Sequence, residues 1–260
     1  MRPFVLFALI AGAVCGVAAE PANHAPRPRL DIPRAINIPL VTAAADDPAW
    51  KTAALIPNLQ PAYNLEPQPG TYPATAVRAL WTPEALFLRF TATDPELFTA
   101  LAKRDEDLYS GDVAEFFIDP VGDGRVLYEI GAAPNGSVYD TVTLVTATPV
   151  LNEALALDWG FYGRDVWHDR AWNLEGLRCG AAKTAAGWTI DLILPAKGLL
   201  RRLGTDTFTT NQELRCNVLR YEWQLGADGK RSHLPLDWSP TAAGRPHISA
   251  AALGTFHLLP

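Results

Sequence analysis

Over residues 112–119 apolar and polar positions alternate, so that Val113, Glu115, Phe117 and Asp119 fall on one face of an extended chain and Ala114, Phe116 and Ile118 on the other. A second run, 125–131, follows a turn rich in Gly and Asp, and Pro134-Asn135-Gly136 marks a further turn. The pattern predicts two adjoining strands. Glu115 shares its face with apolar neighbours, and Glu129 faces opposite to Tyr128 and Ile130. A carboxylate so placed must be paired, bind something or border a groove, because an unpaired buried charge is costly. Two of them on adjacent strands point to a polar site.

The same reading gives strands at 75–81 and 85–93 around the turn Thr82-Pro83-Glu84, and further strands at 141–148, 174–183, 187–194, 214–223 and 253–259. In the second of these, Phe87, Arg89 and Thr91 alternate with Leu86, Leu88 and Phe90, so one face is wholly apolar. A short helix is expected within 96–104, and a short helix or loop within 195–203. No long amphipathic helix competes with the strands, and no internal repeat or composition shift marks a second domain. The fold class is therefore all-β: one antiparallel β-sandwich with jelly-roll or immunoglobulin-like layering. Trp50, Trp81, Trp172 and Trp188 stand in strand or turn contexts and are expected to pack in the core. The Pro-rich stretch 58–73 reads as an irregular loop long enough to line a site.

The first nineteen residues change the setting. One Arg, an apolar run and a small-residue ending at Val17-Ala18-Ala19 read as a signal peptide over 1–19, too short for a membrane anchor. The Pro-rich segment 20–34 reads as a tether, leaving 35–260 as the domain. The protein is thus expected to be secreted, periplasmic or held at the cell surface, with no membrane span once the leader is removed. In that oxidising setting Cys179 and Cys216, on two predicted strands, are a disulfide candidate, against the alternative of two separate buried thiols. A net charge of −6 argues against a nucleic-acid partner.

Catalytic chemistry finds little support. There is no nucleophile elbow, phosphate loop or zinc-spaced His/Cys cluster, and the five His are scattered. Glu115 and Glu129 could in principle serve a glycosidase, which needs carboxyl groups about 5–9.5 Å apart. Strand neighbours satisfy that distance without catalysis, and a pair bonded to Arg89 or Arg220 is the simpler reading. Haem ligation is disfavoured because the only methionine, Met1, leaves with the leader. Asp119, Asp123 and Asp140 could serve as oxygen ligands to calcium, but their spacing matches no recognisable calcium loop.

An ordered series of motifs resembles the family 9 carbohydrate-binding modules. It runs through Asp46-Asp47-Pro48-Ala49-Trp50, Leu80-Trp81, Asp94-Pro95, residues 111–120, Tyr128-Glu129-Ile130, Val138-Tyr139-Asp140, residues 187–191, Asn217 with Arg220, and Trp238-Ser239-Pro240. The resemblance covers nearly all of 35–260 and implies a β-sandwich that holds a glycan end between aromatic rings, often with structural calcium. Carried over position by position, Tyr109 falls on a stacking aromatic and Glu115 on a sugar-contacting carboxylate. Glu129 stands where those modules tend to have a basic residue, and Leu219 and Arg220 where they have an amide. The second aromatic wall should follow Trp238, where the chain offers His247.

These readings together give a non-catalytic binder of polysaccharide or oligosaccharide ends, of xylan or cellulose type. It would support degradation beside secreted glycoside hydrolases and need no cofactor. The expected carbohydrate-binding residues are Tyr109, Glu115, Glu129, Arg220, Trp238 and His247. The alternative is a sandwich module that has lost sugar binding and acts as a surface interaction domain.

Overall fold

Alternating strands with one apolar face must pair and then bury that face against a second layer, and this chain does so with two sheets. The structure, a computed structural model, describes residues 27–44, 47–62, 72–146, 166–241, 245–248 and 250–260. Strands are numbered in chain order. Among the described residues the smaller sheet has five, ordered β10 (Arg178–Lys183), β11 (Gly187–Pro195), β5 (Ala85–Thr93), β4 (Thr75–Trp81) and β2 (Ala54–Ile56). The main path of the nine-stranded sheet is β1 (Arg29–Ile32), β14 (Gly254–Leu258), β12 (Glu213–Leu225), β6 (Val113–Asp119), β7 (Val126–Ala132), β8 (Val138–Val145) and β9 (Val166–Asp169). Two more strands, β13 (Arg231–Asp237) and β3 (Gln60–Pro61), extend it from the far half of β12.

The β-sandwich expected from the alternation is present. Ala114, Phe116 and Ile118 of β6 join Tyr128 and Ile130 of β7 and Leu88 and Phe90 of β5 in one apolar cluster between the sheets. Trp81 and Trp188 are buried in that cluster, Trp172 packs against it, and Trp50 lies with Leu80 and Phe87 in a separate cluster. Trp50, Trp81 and Trp188 are thus core residues as expected, and Trp172 lies half-buried at the edge.

The structure differs from the sequence reading in several places, among them the short strands β2, β3 and β9, of which β3 lies inside the stretch expected to be an irregular loop. Residues 29–32 do not belong to a tether: β1 pairs in parallel with β14, so the sheets are not wholly antiparallel. Residues 96–104 form no helix, because Asp112 holds the segment extended. Its carboxylate accepts from the Phe98 N–H at 2.5 Å while its own N–H donates to the Phe98 carbonyl at 2.7 Å. Strand β13 was unforeseen. Cys179, on an edge strand of the smaller sheet, and Cys216, inside the larger one, are both free thiols, so the disulfide expectation is not met. The expected signal peptide at 1–19 lies outside the described residues. Among the described residues no helix is long and apolar enough to cross a membrane.

Candidate functional site

The face of β6 opposite to the core carries Glu115 and Phe117, and strand register extends it sideways. Glu115 lies opposite Gly131 of β7 on one side and Leu219 of β12 on the other. Gly131 in turn faces Tyr139 of β8, and Leu219 faces Asp237 of β13. The next row runs Asn217, Phe117, Glu129, Thr141. Above this face opens a cleft of about 550 Å³, walled by Tyr109, Tyr221, Trp223, His168, Arg170 and His247. Glu115 and Glu129, drawn from alternation alone, both reach it.

The floor is built around Tyr139, which packs across the bare Gly131: a Cβ there would lie 2.0 Å from the ring. The Tyr139 hydroxyl is 2.5 Å from Oε1 of Glu115 and 2.5 Å from Oε1 of Glu129. One O–H proton can be donated to only one of them. The other contact is satisfied when that carboxyl carries a proton and donates to the phenol oxygen. Electrostatics point the same way. Burial holds the Glu115 carboxyl well above its usual range, reinforced by the neighbouring Glu129, and burial lifts Glu129 to about 7.

Polar atoms bordering the cleft are left over. Oε2 of Glu115, Oγ1 of Thr141 and, at the rim, Oδ1 of Asp105 are buried and have no hydrogen-bond partner among the described residues. Such atoms each cost free energy until something fills the site and bonds to them.

The walls are aromatic. Tyr109 is 39% exposed, and its backbone carbonyl accepts from the Trp223 indole N–H at 2.9 Å, which fixes Trp223 beside it. Trp223 leans on His233, their ring centroids 5.0 Å apart, and on Phe98 at 6.0 Å. Arg170 pairs with Asp107 at the rim. His247 is buried, edge-on to His168 with centroids 5.4 Å apart and 6.1 Å from Phe117. Burial lowers the affinity of both histidines for a proton, most strongly at His247, so they face the cleft as neutral rings.

Two expected site residues lie elsewhere. Arg220 alternates to the other side of β12 and is fully buried between the sheets. There it donates to the Thr75 hydroxyl at 3.1 Å and the Thr93 carbonyl at 2.9 Å, pairs with Glu222, and covers the Trp188 ring at 5.0 Å. It bonds neither Glu115 nor Glu129, and Arg89 is likewise taken by Asp191 at 2.7 and 2.8 Å. Trp238 packs on Phe256 with centroids 5.1 Å apart and over Gly254, where a Cβ would lie 2.5 Å from its ring. It therefore belongs to the core side of the sheet, not to the cleft wall.

The acids considered for calcium are committed to the protein. Asp119 accepts the N–H groups of Val121, Gly122 and Gly124, Asp123 pairs with Arg202, and Asp140 pairs with Arg104. Among the described residues the acidic trio close enough to hold a cation is Asp94, Asp112 and Glu222, and the Arg220 guanidinium reaches two of them, Asp94 and Glu222. A resident cation fits that donor set poorly because an obligate cation already stands beside it.

Sequence reading missed Trp223, Tyr221, Tyr139, Thr141, His168 and Arg170. The signal for the first two was present: Leu219, Tyr221 and Trp223 recur at every second position of one strand.

Fold and site together define a β-sandwich with an aromatic-walled, acid-floored cleft on the outer face of its larger sheet. Solved structures share this architecture. A candidate carbohydrate-binding protein from Bacteroides uniformis superposes with TM-score 0.66 at 13% identity, over 90% of this chain and all of its own length. A family 9 carbohydrate-binding module from Caldicellulosiruptor kristjanssonii, determined with cellotriose, gives TM-score 0.59 at 12% identity, over 89% of this chain and 94% of its own. A family 9 module from the same organism, with glucose, gives 0.54 at 14%, over 88% and 95%. At such identities the likeness shows a common fold. No family model matches the sequence, and no curated protein matches it.

Proposed function

We propose that this protein is a non-catalytic carbohydrate-binding module whose cleft holds the end of a neutral glycan. The observation that carries the reading is two buried floor atoms without a partner among the described residues, Glu115 Oε2 and Thr141 Oγ1, set on a polar floor beside Tyr109 and Trp223. A pyranose ring fits that demand: its C–H face stacks on an aromatic plane while its hydroxyls donate to a carboxylate and accept from a threonine. The acidic floor favours an uncharged sugar over a uronic acid. Family 9 modules of this fold with cellotriose and glucose support the substrate class.

Catalysis by Glu115 and Glu129 is disfavoured because the Tyr139 hydroxyl fills the space between them, where the scissile oxygen would have to lie. Binding supports polysaccharide capture outside the cell, delivered through the leader at 1–19 and serving a secreted hydrolase.

The test is titration calorimetry of residues 20–260 against xylo- and cello-oligosaccharides with intact or borohydride-reduced ends, repeated with Tyr109→Ala and Trp223→Ala. Saturable heat that is lost on reducing the sugar end and in either variant supports capture of a chain end. No heat with any sugar would sink this reading and leave an interaction module with the cleft as its docking surface.

A further inference from the structure

A second groove, of about 470 Å³, lies on the outer face of the five-stranded sheet. It is independent of the cleft and of the sugar reading. Arg78 of β4 and Arg89 of β5 stand directly opposite one another, a like-charge cross-strand pair that is unfavourable unless compensated. Arg89 is compensated by the bidentate pair with Asp191. Arg78 is not. Among the described residues neither Arg78 nor Lys51, which borders the same groove, makes an ion pair or side-chain hydrogen bond.

A third donor is left over. Trp50, 4% exposed, lines the groove with the Arg89 guanidinium 4.9 Å from its ring centroid, and its indole N–H has no partner among the described residues. Thr91 and Thr189 face each other across β5 and β11 on the same side, adding hydroxyls. Acceptors are scarce. Both oxygens of Asp47 are taken by backbone N–H groups, of Ala49 at 2.9 Å and Leu40 at 2.8 Å. Donors in excess, two unspent cations and a buried unpaired N–H form a site for acceptor oxygens carrying negative charge, in a chain whose net charge is −6.

We propose that this groove binds an oxyanion group, a carboxylate, sulfate or phosphate, with Arg78 and Lys51 supplying charge and the Trp50 indole N–H a directed hydrogen bond. The group is carried by an acidic sugar or is free in solution, and the probes separate the two. Indole resonances in nitrogen–proton correlation spectra are followed during titration with glucuronate, sulfate and phosphate, against chloride at matched ionic strength; Trp50→Phe assigns the Trp50 signal. The expected result is a saturable shift of that signal, with the midpoint raised at least tenfold in Arg78→Gln and raised also in Lys51→Gln. Saturation at lower glucuronate than sulfate or phosphate assigns the site to acidic sugars, and the reverse order to free oxyanions. Arg78→Gln should leave cello-oligosaccharide heats unchanged, so this test and that of the cleft fail separately. A Trp50 signal that follows chloride as closely as the oxyanions, or shifts equally in Arg78→Gln, overturns the proposal.

Discussion

The Tyr139 hydroxyl meets the Glu115 carboxyl at 2.5 Å although β7 runs between their strands. The reach is possible because the intervening residue of the row is Gly131, which lets the aromatic ring lie flat across the sheet. From that contact follow the shared proton with Glu129, the orientation of Glu115 Oε2 and the floor of the cleft.

Gly131→Ala should therefore act on the site and not only on the fold. Overpacking costs about 1–3 kcal/mol, visible by chemical denaturation, and the displaced ring releases Glu115. Sugar heats should fall at least tenfold. Retention of full sugar affinity would show that Tyr139 does not position Glu115.

Replacing Thr141 by Val should push stability and binding in opposite directions. Its hydroxyl is buried without a partner among the described residues, so a methyl group of similar shape is expected to raise stability by about 1 kcal/mol. The same change removes a partner for a sugar hydroxyl and should weaken binding about tenfold, or about 1.4 kcal/mol. Thermal unfolding and calorimetry on one protein sample check both signs.

Acid–base behaviour follows from the same floor. Glu129 is raised by burial from 4.5 to about 7 in the folded protein, so between those values the folded state binds more protons than the unfolded chain. Stability contributed by this group is complete below about pH 4.5 and is lost as pH rises through 7. The slope is at most about 1.4 kcal/mol per pH unit for each retained proton. Asp237, also raised to about 7 by burial, adds with the same sign. Glu129→Gln should flatten the fall between pH 5 and pH 7, measured as denaturation midpoints at several pH values; an unchanged slope would contradict the shared-proton floor.

Arg220→Gln should destabilise strongly without touching the cleft. It leaves the buried carboxylates of Asp94 and Glu222, with Asp112 close by, short of their cation. Removing one partner from a buried ionic network costs about 3–5 kcal/mol. Urea denaturation reads the loss, while sugar affinity of the folded fraction should be preserved.

Since Cys179 and Cys216 are separate thiols, reductant should leave the melting temperature where it is. Burial lifts the Cys179 thiol to about 12, and that of Cys216 higher still, so both should react with alkylating reagents only on unfolding. A fall in melting temperature with reductant would reveal a disulfide.

Much of the fold was legible because a half-buried strand writes its two faces into alternate residues. The hairpin of β6 and β7, the apolar face of β5 and the buried tryptophans could be read directly, and so could the placement of Glu115 and Glu129 on the side away from the core. What failed depended on partners distant in sequence. Arg220 looked like a ligand contact because a buried cation and a binding cation have the same sequence signature; Thr75 and Thr93, on the other sheet, decide between them. Trp238 was lost to the core for want of a side chain at Gly254, sixteen positions on. Residues 29–32 looked like linker until β14 supplied their hydrogen bonds.

The sequence by itself determined the strand faces, and with them an all-β sandwich carrying carboxylates outside its core, since side-chain alternation is a local property of an extended chain. Only the tertiary structure decided which strands adjoin beyond the sequence-local hairpins. Register placed Tyr139 across Gly131 onto Glu115 and set Arg78 against Arg89, while segments outside the strands brought Tyr109 to Trp223 and Trp50 to the Arg89 guanidinium.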